Sequence, residues 1–166
     1  MPQYNVCGLT LSSVYPLADC VTSTDDTQTD LSVVVNLTHH KTFVDADWCP
    51  LWNQDSGDIW LRYAIDGSDY LLRFPELADF RLSLSGKQIA CYPRAERLHL
   101  SMSHILLDQV LPLYLSLQND IVLHAGTASC AEGAVAFVGP SGRGKSTLTA
   151  SLCERGWQLL ADDCLR

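Results

Sequence analysis

Eight consecutive residues constrain the fold of this 166-residue chain more than anything else in it: Gly139, Pro140, Ser141, Gly142, Arg143, Gly144, Lys145 and Ser146. They fit the pattern G-x-x-x-x-G-K-[ST], which needs a β-strand entering a glycine-rich loop and an α-helix leaving it. Both flanks comply. Residues 134–138 (AVAFV) are a short apolar run of β type, and a helix is expected over residues 145–155 with Gly156 as its C-terminal stop. Glycines let successive N–H groups turn inward towards phosphate oxygens, and the helix adds the positive end of its dipole. Lys145 would then set a compact positive charge against the β- and γ-phosphates of a nucleotide such as ATP. The Ser146 hydroxyl, with Thr147 after it, is the expected ligand of Mg2+.

Two further features gain weight from where they should stand. Residues 121–130 read as a strand. If they pair with residues 134–138 in a hairpin about residues 131–133, antiparallel register sets His124 opposite Pro140 or Ser141, beside the loop. After the helix, residues 157–161 read as a second buried strand, parallel to the one entering the loop and ending in Asp162-Asp163. In parallel sheets ligands collect beyond the carboxyl ends of the strands, so both carboxylates are expected to face the γ-phosphate. One can hold the metal or its waters while the other accepts a proton from an attacking hydroxyl.

The rest of the chain has a different texture. Residues 1–97 carry β signals: runs at 3–11, 31–38, 59–65, 70–74, 80–84 and 88–92, with Asp66-Gly67 and Ser85-Gly86 as turn dipeptides. This predicts a small antiparallel meander. Residues 98–117 read as a helix through Leu98, Met102, Ile105, Leu106, Leu113 and Leu117, with Gln109 the polar exception and Pro112 expected to kink or split it. So apolar a helix is expected to pack between the two regions. The domains are therefore 1–97 (β-rich), 98–118 (connecting helix) and 119–166, the whole being α/β: a small β-rich (α+β) domain followed by the first part of a P-loop core.

Composition narrows the function. Nineteen acidic residues against eleven basic ones give a net charge of −8, which argues against a general nucleic-acid binder. Seven cysteines, an odd number without C-x-x-C spacing, support neither a disulfide framework nor a zinc site. The longest apolar stretch is interrupted by Asp108 and Pro112, too polar to span a bilayer. These features predict a soluble, cytoplasmic protein with no membrane partner. His39-His40 reads as a strand end, the acidic stretch 25–30 as a solvated loop, and Trp48, Trp52 and Trp60 as packing residues rather than a peptide pocket.

Taken in order, His124-Ala125-Gly126, the loop with its following Thr147-Leu148, and the R-G-W-Q-L-L-A-D-D run ending at Asp163 resemble the core of the HPr kinase/phosphorylase family. HPr kinases proper have Glu where this chain has Thr147, and their N-terminal domain is of another kind. The wording here is more similar to the HPr-kinase-related proteins of peptide-modifying gene clusters, some of which resemble kinases of lasso-peptide precursors. The resemblance implies a P-loop kinase that moves the γ-phosphate of Mg-ATP to a serine hydroxyl of a protein or peptide. It casts Asp162 as general base, with Asp163 and His124 assisting metal, phosphate or proton positioning. Such a core needs further strands and helices, so residues 119–166 are expected to be its front part, in a longer protein or in a truncated one. A nucleotide-binding module without catalysis stays open, as do other P-loop enzymes such as transporter ATPases or guanylate-kinase-like enzymes, which fit the spacing less well. The oligomeric state, a homo-oligomer included, is also open.

Overall fold

In the computed structural model the chain is mixed α/β and mostly β-sheet. The structure describes residues 1–17, 20, 22–23, 28–36, 43, 45–53, 59–94 and 99–166, and of residues 52, 53 and 99–101 the backbone alone. His39, His40, Leu98, residues 25–27 of the acidic stretch and the Trp52 side chain lie outside that description. Two compact units make up the chain, Met1–Val110 and Leu111–Arg166. The division falls inside the region expected to be the connecting helix.

The first unit holds β1 (Gln3–Val6), β2 (Leu9–Ser13), β3 (Thr22–Ser23), β4 (Leu31–Val35), β5 (Cys49–Asn53), β6 (Ile59–Asp66), β7 (Asp69–Phe74), β8 (Ala78–Ser83) and β9 (Gln88–Pro93). They form one sheet in the order β3-β1-β2-β4-β9-β8-β7-β6-β5. From β6 to β9 it is the expected meander, which β5, a strand the sequence reading did not include, extends by one antiparallel neighbour. Beyond β9 the purely antiparallel expectation fails, because β4 runs parallel to both β2 and β9. Parallel neighbours are joined by crossovers rather than tight turns, so no local dipeptide announces them. Residues 3–11, read above as one run, fold as the β1–β2 hairpin. Cys7 and Gly8 both take positive φ there, 50° and 70°, in a two-residue turn. Gly67 (φ 63°) turns β6 into β7, as its sequence predicts. The β8–β9 loop is longer, residues 84–87, and its left-handed position is Lys87 (φ 47°) rather than Gly86.

Strand alternation puts Leu72, Phe74, Phe80, Leu82, Ile89 and Cys91 on one buried face. Trp60 and Phe80 each meet Phe74 edge to face, at centroid distances of 6.0 and 5.8 Å. The helical region begins as α1 (His99–Ile105) and passes into a π-helical turn, Leu106–Val110. Met102, on α1, brings its Sδ to 3.2 Å from Cys91 Sγ. Gln109, the polar member of the stripe, accepts a hydrogen bond from Trp60 Nε1 at 3.0 Å. Burial pushes the Cys91 thiol well above the usual thiol range, with the Asp79 charge adding to it. The other face of the meander is more polar. Arg73 donates to both Asp79 oxygens at 2.9 and 2.7 Å and lies 4.0 Å from the Trp48 ring. Trp48 itself packs against the Phe43, Ala64 and Leu71 cluster. Trp48 and Trp60 are thus packing residues, as expected.

The second unit opens with α2 (Leu111–Leu117), whose second residue is Pro112. Proline lacks an N–H, and here it stands in the first turn of α2, directly after the π turn, with the helical assignment continuing through it rather than breaking there. Asn119 (φ 68°) closes α2, with Asp120 N–H on Leu115 O and Asn119 N–H on Ser116 O. Next come β10 (Leu123–Cys130), β11 (Gly133–Val138), α3 (Lys145–Glu154) and β12 (Gln158–Leu165). The sheet order is β11-β10-β12, with β10 antiparallel to both neighbours. β11 and β12 therefore point the same way, as the sequence implies, but β10 lies between them. Gly156 (φ 92°) stops α3 through bonds from Gly156 N–H to Cys153 O and Trp157 N–H to Leu152 O. Two expectations for β12 are corrected. It runs through Asp162 and Asp163 instead of ending before them, and Leu159 and Leu160 are about half exposed rather than buried. β12 has a single strand neighbour among the described residues. Among the described residues no helix is long and apolar enough to cross a membrane, and no disulfide links the cysteines.

Candidate functional site

The loop between β11 and α3 turns at Gly142 (φ 74°) and Gly144 (φ 85°), conformations that a side chain disfavours. Gly144 is also the N-cap of α3 and supplies no side-chain cap, so the amides of the first turn have no such acceptor. Lys145, the first helical residue, is buried at 9% exposure. Its Nζ donates to Gly139 O at 3.0 Å and Pro140 O at 3.2 Å, so the ammonium is held by carbonyls of the loop it follows.

A cavity of about 320 Å3 opens over this loop, lined by His124, Ser141, Gly142, Gly144, Lys145, Ser146, Thr147 and Asp163. The structure thus brings together, around one space, most of the residues singled out from the sequence. Gly139 and Pro140 contribute carbonyls to Lys145 instead of lining the cavity, and Arg143 is exposed. Among the described residues there is no group of three or more His, Cys, Asp or Glu able to hold a metal by itself. A metal here would draw on Ser146, Asp163 and the oxygens of a bound phosphate, the mixed ligand set Mg2+ ordinarily takes.

His124 reaches the cavity in a register different from the one expected. The hairpin turn is only two residues, with Cys130 paired to Gly133, and the last paired residues are Ala125 and Val138. One step further, His124 stands level with Gly139, not with Pro140 or Ser141. Its Nδ1 lies 3.1 Å from Asp163 O and 3.6 Å from Asp163 Oδ1. A carbonyl can only accept, so Nδ1 carries the proton in this contact and Nε2 is the nitrogen left for other chemistry.

The two aspartates part company. β12 continues through them, and successive strand side chains leave on opposite sides. Asp162 pairs with Gly126 and Asp163 with Ala125. Asp163 lines the cavity and Asp162 does not, which corrects the expectation that both carboxylates face the same point. A register shift in β12 between its pairings to Thr127 and Ala128 sets this phase.

Sequence reasoning missed one residue of the site. Gly126, on β10, is fully within the fold beneath α3. A Cβ there would stand 2.3 Å from Thr149 Oγ1 and 3.2 Å from Lys145 O. The signals were its place in the His124-Ala125-Gly126 block of the resemblance, where it was given no role, and the run of small residues Ala125-Gly126-Thr127-Ala128. Comparison with protein-family models, with curated proteins and with solved structures finds no match to this chain.

Proposed function

We propose that this chain is a P-loop phosphotransferase of the HPr-kinase-like type, binding Mg-ATP over residues 139–147 and directing its γ-phosphate to a serine hydroxyl of a protein or peptide. One observation carries the reading: a buried Lys145 at the foot of a cavity whose rim holds Ser146, Asp163 and His124. Phosphoryl transfer asks little covalent chemistry of a protein; positioning and charge stabilisation suffice. On this reading Lys145 leaves the loop carbonyls for the β- and γ-phosphates, and the uncapped first-turn amides take phosphate oxygens. Ser146 and Asp163 hold the metal, His124 Nε2 faces the phosphates, and the resemblance assigns the acceptor hydroxyl's base to Asp162, which leaves β12 on the side away from the cavity.

A second reading, a nucleotide-binding module without catalysis, is favoured by the position of Asp162 off the cavity. Transfer from γ-labelled ATP to serine-containing peptides separates the two. Lys145→Ala should abolish nucleotide binding, and Asp162→Asn should spare binding but remove transfer. Transfer retained in Asp162→Asn and lost in Asp163→Asn would move the base to Asp163. Binding without transfer to any acceptor would leave the module.

A further inference from the structure

Beneath the loop the backbone of α3 rests directly on β10, and the point of contact is Gly126. The three atoms nearest a Cβ at that position are Thr149 Oγ1 at 2.3 Å, Lys145 O at 3.2 Å and Lys145 C at 3.4 Å. Each belongs to the first turn of α3 or to the side chain tied to it, since Thr149 Oγ1 donates to Lys145 O at 3.0 Å. Thr149 is 1% exposed, so its hydroxyl has little room to turn away. The peptide of Lys145 is thereby fixed from below by β10 and from within by Thr149. The Lys145 side chain in turn holds Gly139 O and Pro140 O. A continuous line of contacts runs from Gly126 through the Lys145 backbone to the loop.

We propose that Gly126 is a positioning residue: the missing side chain seats the first turn of α3 against β10 at the height that aims Lys145 and Ser146 at a bound nucleotide phosphate. The role in binding rests on the function proposed above, while the seating itself does not. A methyl group at residue 126 would have to push Thr149 Oγ1 from 2.3 Å to an ordinary contact of 3.4 Å, a displacement near 1 Å. Lys145 O, at 3.2 Å, would have to give by only a few tenths of an ångström, so the shift that reaches Lys145 and Ser146 is smaller than the 1 Å misplacement that can cost a catalytic constellation on the order of 100-fold. Glycine is required here for close approach, because Gly126 is not among the positive-φ residues.

The test is a double-mutant cycle on the chain: wild type, Gly126→Ala, Thr149→Ala and the pair. MgATP affinity is titrated well below each melting temperature, with circular dichroism confirming folded protein. Gly126→Ala is expected to bind roughly 10-fold more weakly, below the 100-fold that a full 1 Å misplacement can cost. Thr149→Ala alone should stay within a few-fold of wild type, as expected for loss of one neutral hydrogen bond. Removing Thr149 Oγ1 takes away the nearest obstructing atom, so the pair should recover most of the affinity that Gly126→Ala loses. A glycine that only helped packing would lower the melting temperature and leave affinity in the folded protein unchanged, and that result overturns the proposal. So does a pair as weak as Gly126→Ala alone. If wild type itself fails to bind MgATP, the functional reading falls instead, and the melting temperatures of the same four proteins still show whether residues 126 and 149 are coupled.

Discussion

Replacing Lys145 by Met isolates what its ammonium does in the absence of any ligand. The two residues have similar helix propensity and similar stem length, so the change removes charge and donors and little else. Lys145 Nζ makes two bonds to loop carbonyls, at 3.0 and 3.2 Å, from a residue only 9% exposed. Hydrogen bonds involving a charged group contribute about 1.5–3 kcal/mol each. Against this stands the desolvation of a buried ammonium, which removes much of the gain. Pro140 is exposed, so its freed carbonyl can find water in the variant. The net loss should be about 1–2 kcal/mol. For a chain of this size that is a fall of about 2–8 °C in melting temperature. Because the chain has two units, hydrogen exchange on peptides covering residues 133–156 is the more direct readout. Faster exchange confined to the loop and the first turn of α3 is expected. Unchanged exchange and melting in Lys145→Met would refute the idea that the lysine braces its own loop.

Three other expectations concern the frame. Asp79→Asn keeps the side-chain shape but leaves the Arg73 guanidinium without its carboxylate, and should cost about 2 kcal/mol in urea unfolding, below the 3–5 kcal/mol of a fully buried pair because Arg73 is 19% exposed. Thr127 Oγ1 is buried without a hydrogen-bond partner among the described residues, so Thr127→Val should be neutral or stabilising in the same assay, whereas a loss above about 1 kcal/mol would reveal a partner. Cys91 is buried with its thiol pushed up, so it stays protonated as the pH rises through the alkaline range. Mass-spectrometric mapping after maleimide treatment should find Cys49, which is exposed, labelled well before Cys91 in folded protein.

What could be read from the sequence was what is local. The loop at residues 139–144, α3, the Gly156 stop and the Gly67 turn are each specified by a few neighbouring residues. Pro112 marked an irregularity in the helix, although its form, a π turn before the proline, was not foreseen. Long-range features escaped. Nothing near residues 31–35 signals that β4 lies parallel between β2 and β9, because that arrangement depends on crossovers. The hairpin at Cys7-Gly8 was hidden inside an apolar run, and a turn one residue shorter than expected moved the register of His124. The separation of Asp162 from Asp163 follows from β12 continuing through both, which no residue between 157 and 163 announces. Gly126 was missed because its neighbours in space, Lys145 and Thr149, are about twenty residues away in sequence.

Calorimetric titration of MgATP into the wild-type chain and into Lys145→Ala, with and without Mg2+, tests the central claim most directly. The account predicts saturable one-site binding by wild type that weakens when magnesium is removed and disappears in Lys145→Ala. Absence of binding by wild type at millimolar MgATP, or binding that survives Lys145→Ala unchanged, would contradict it.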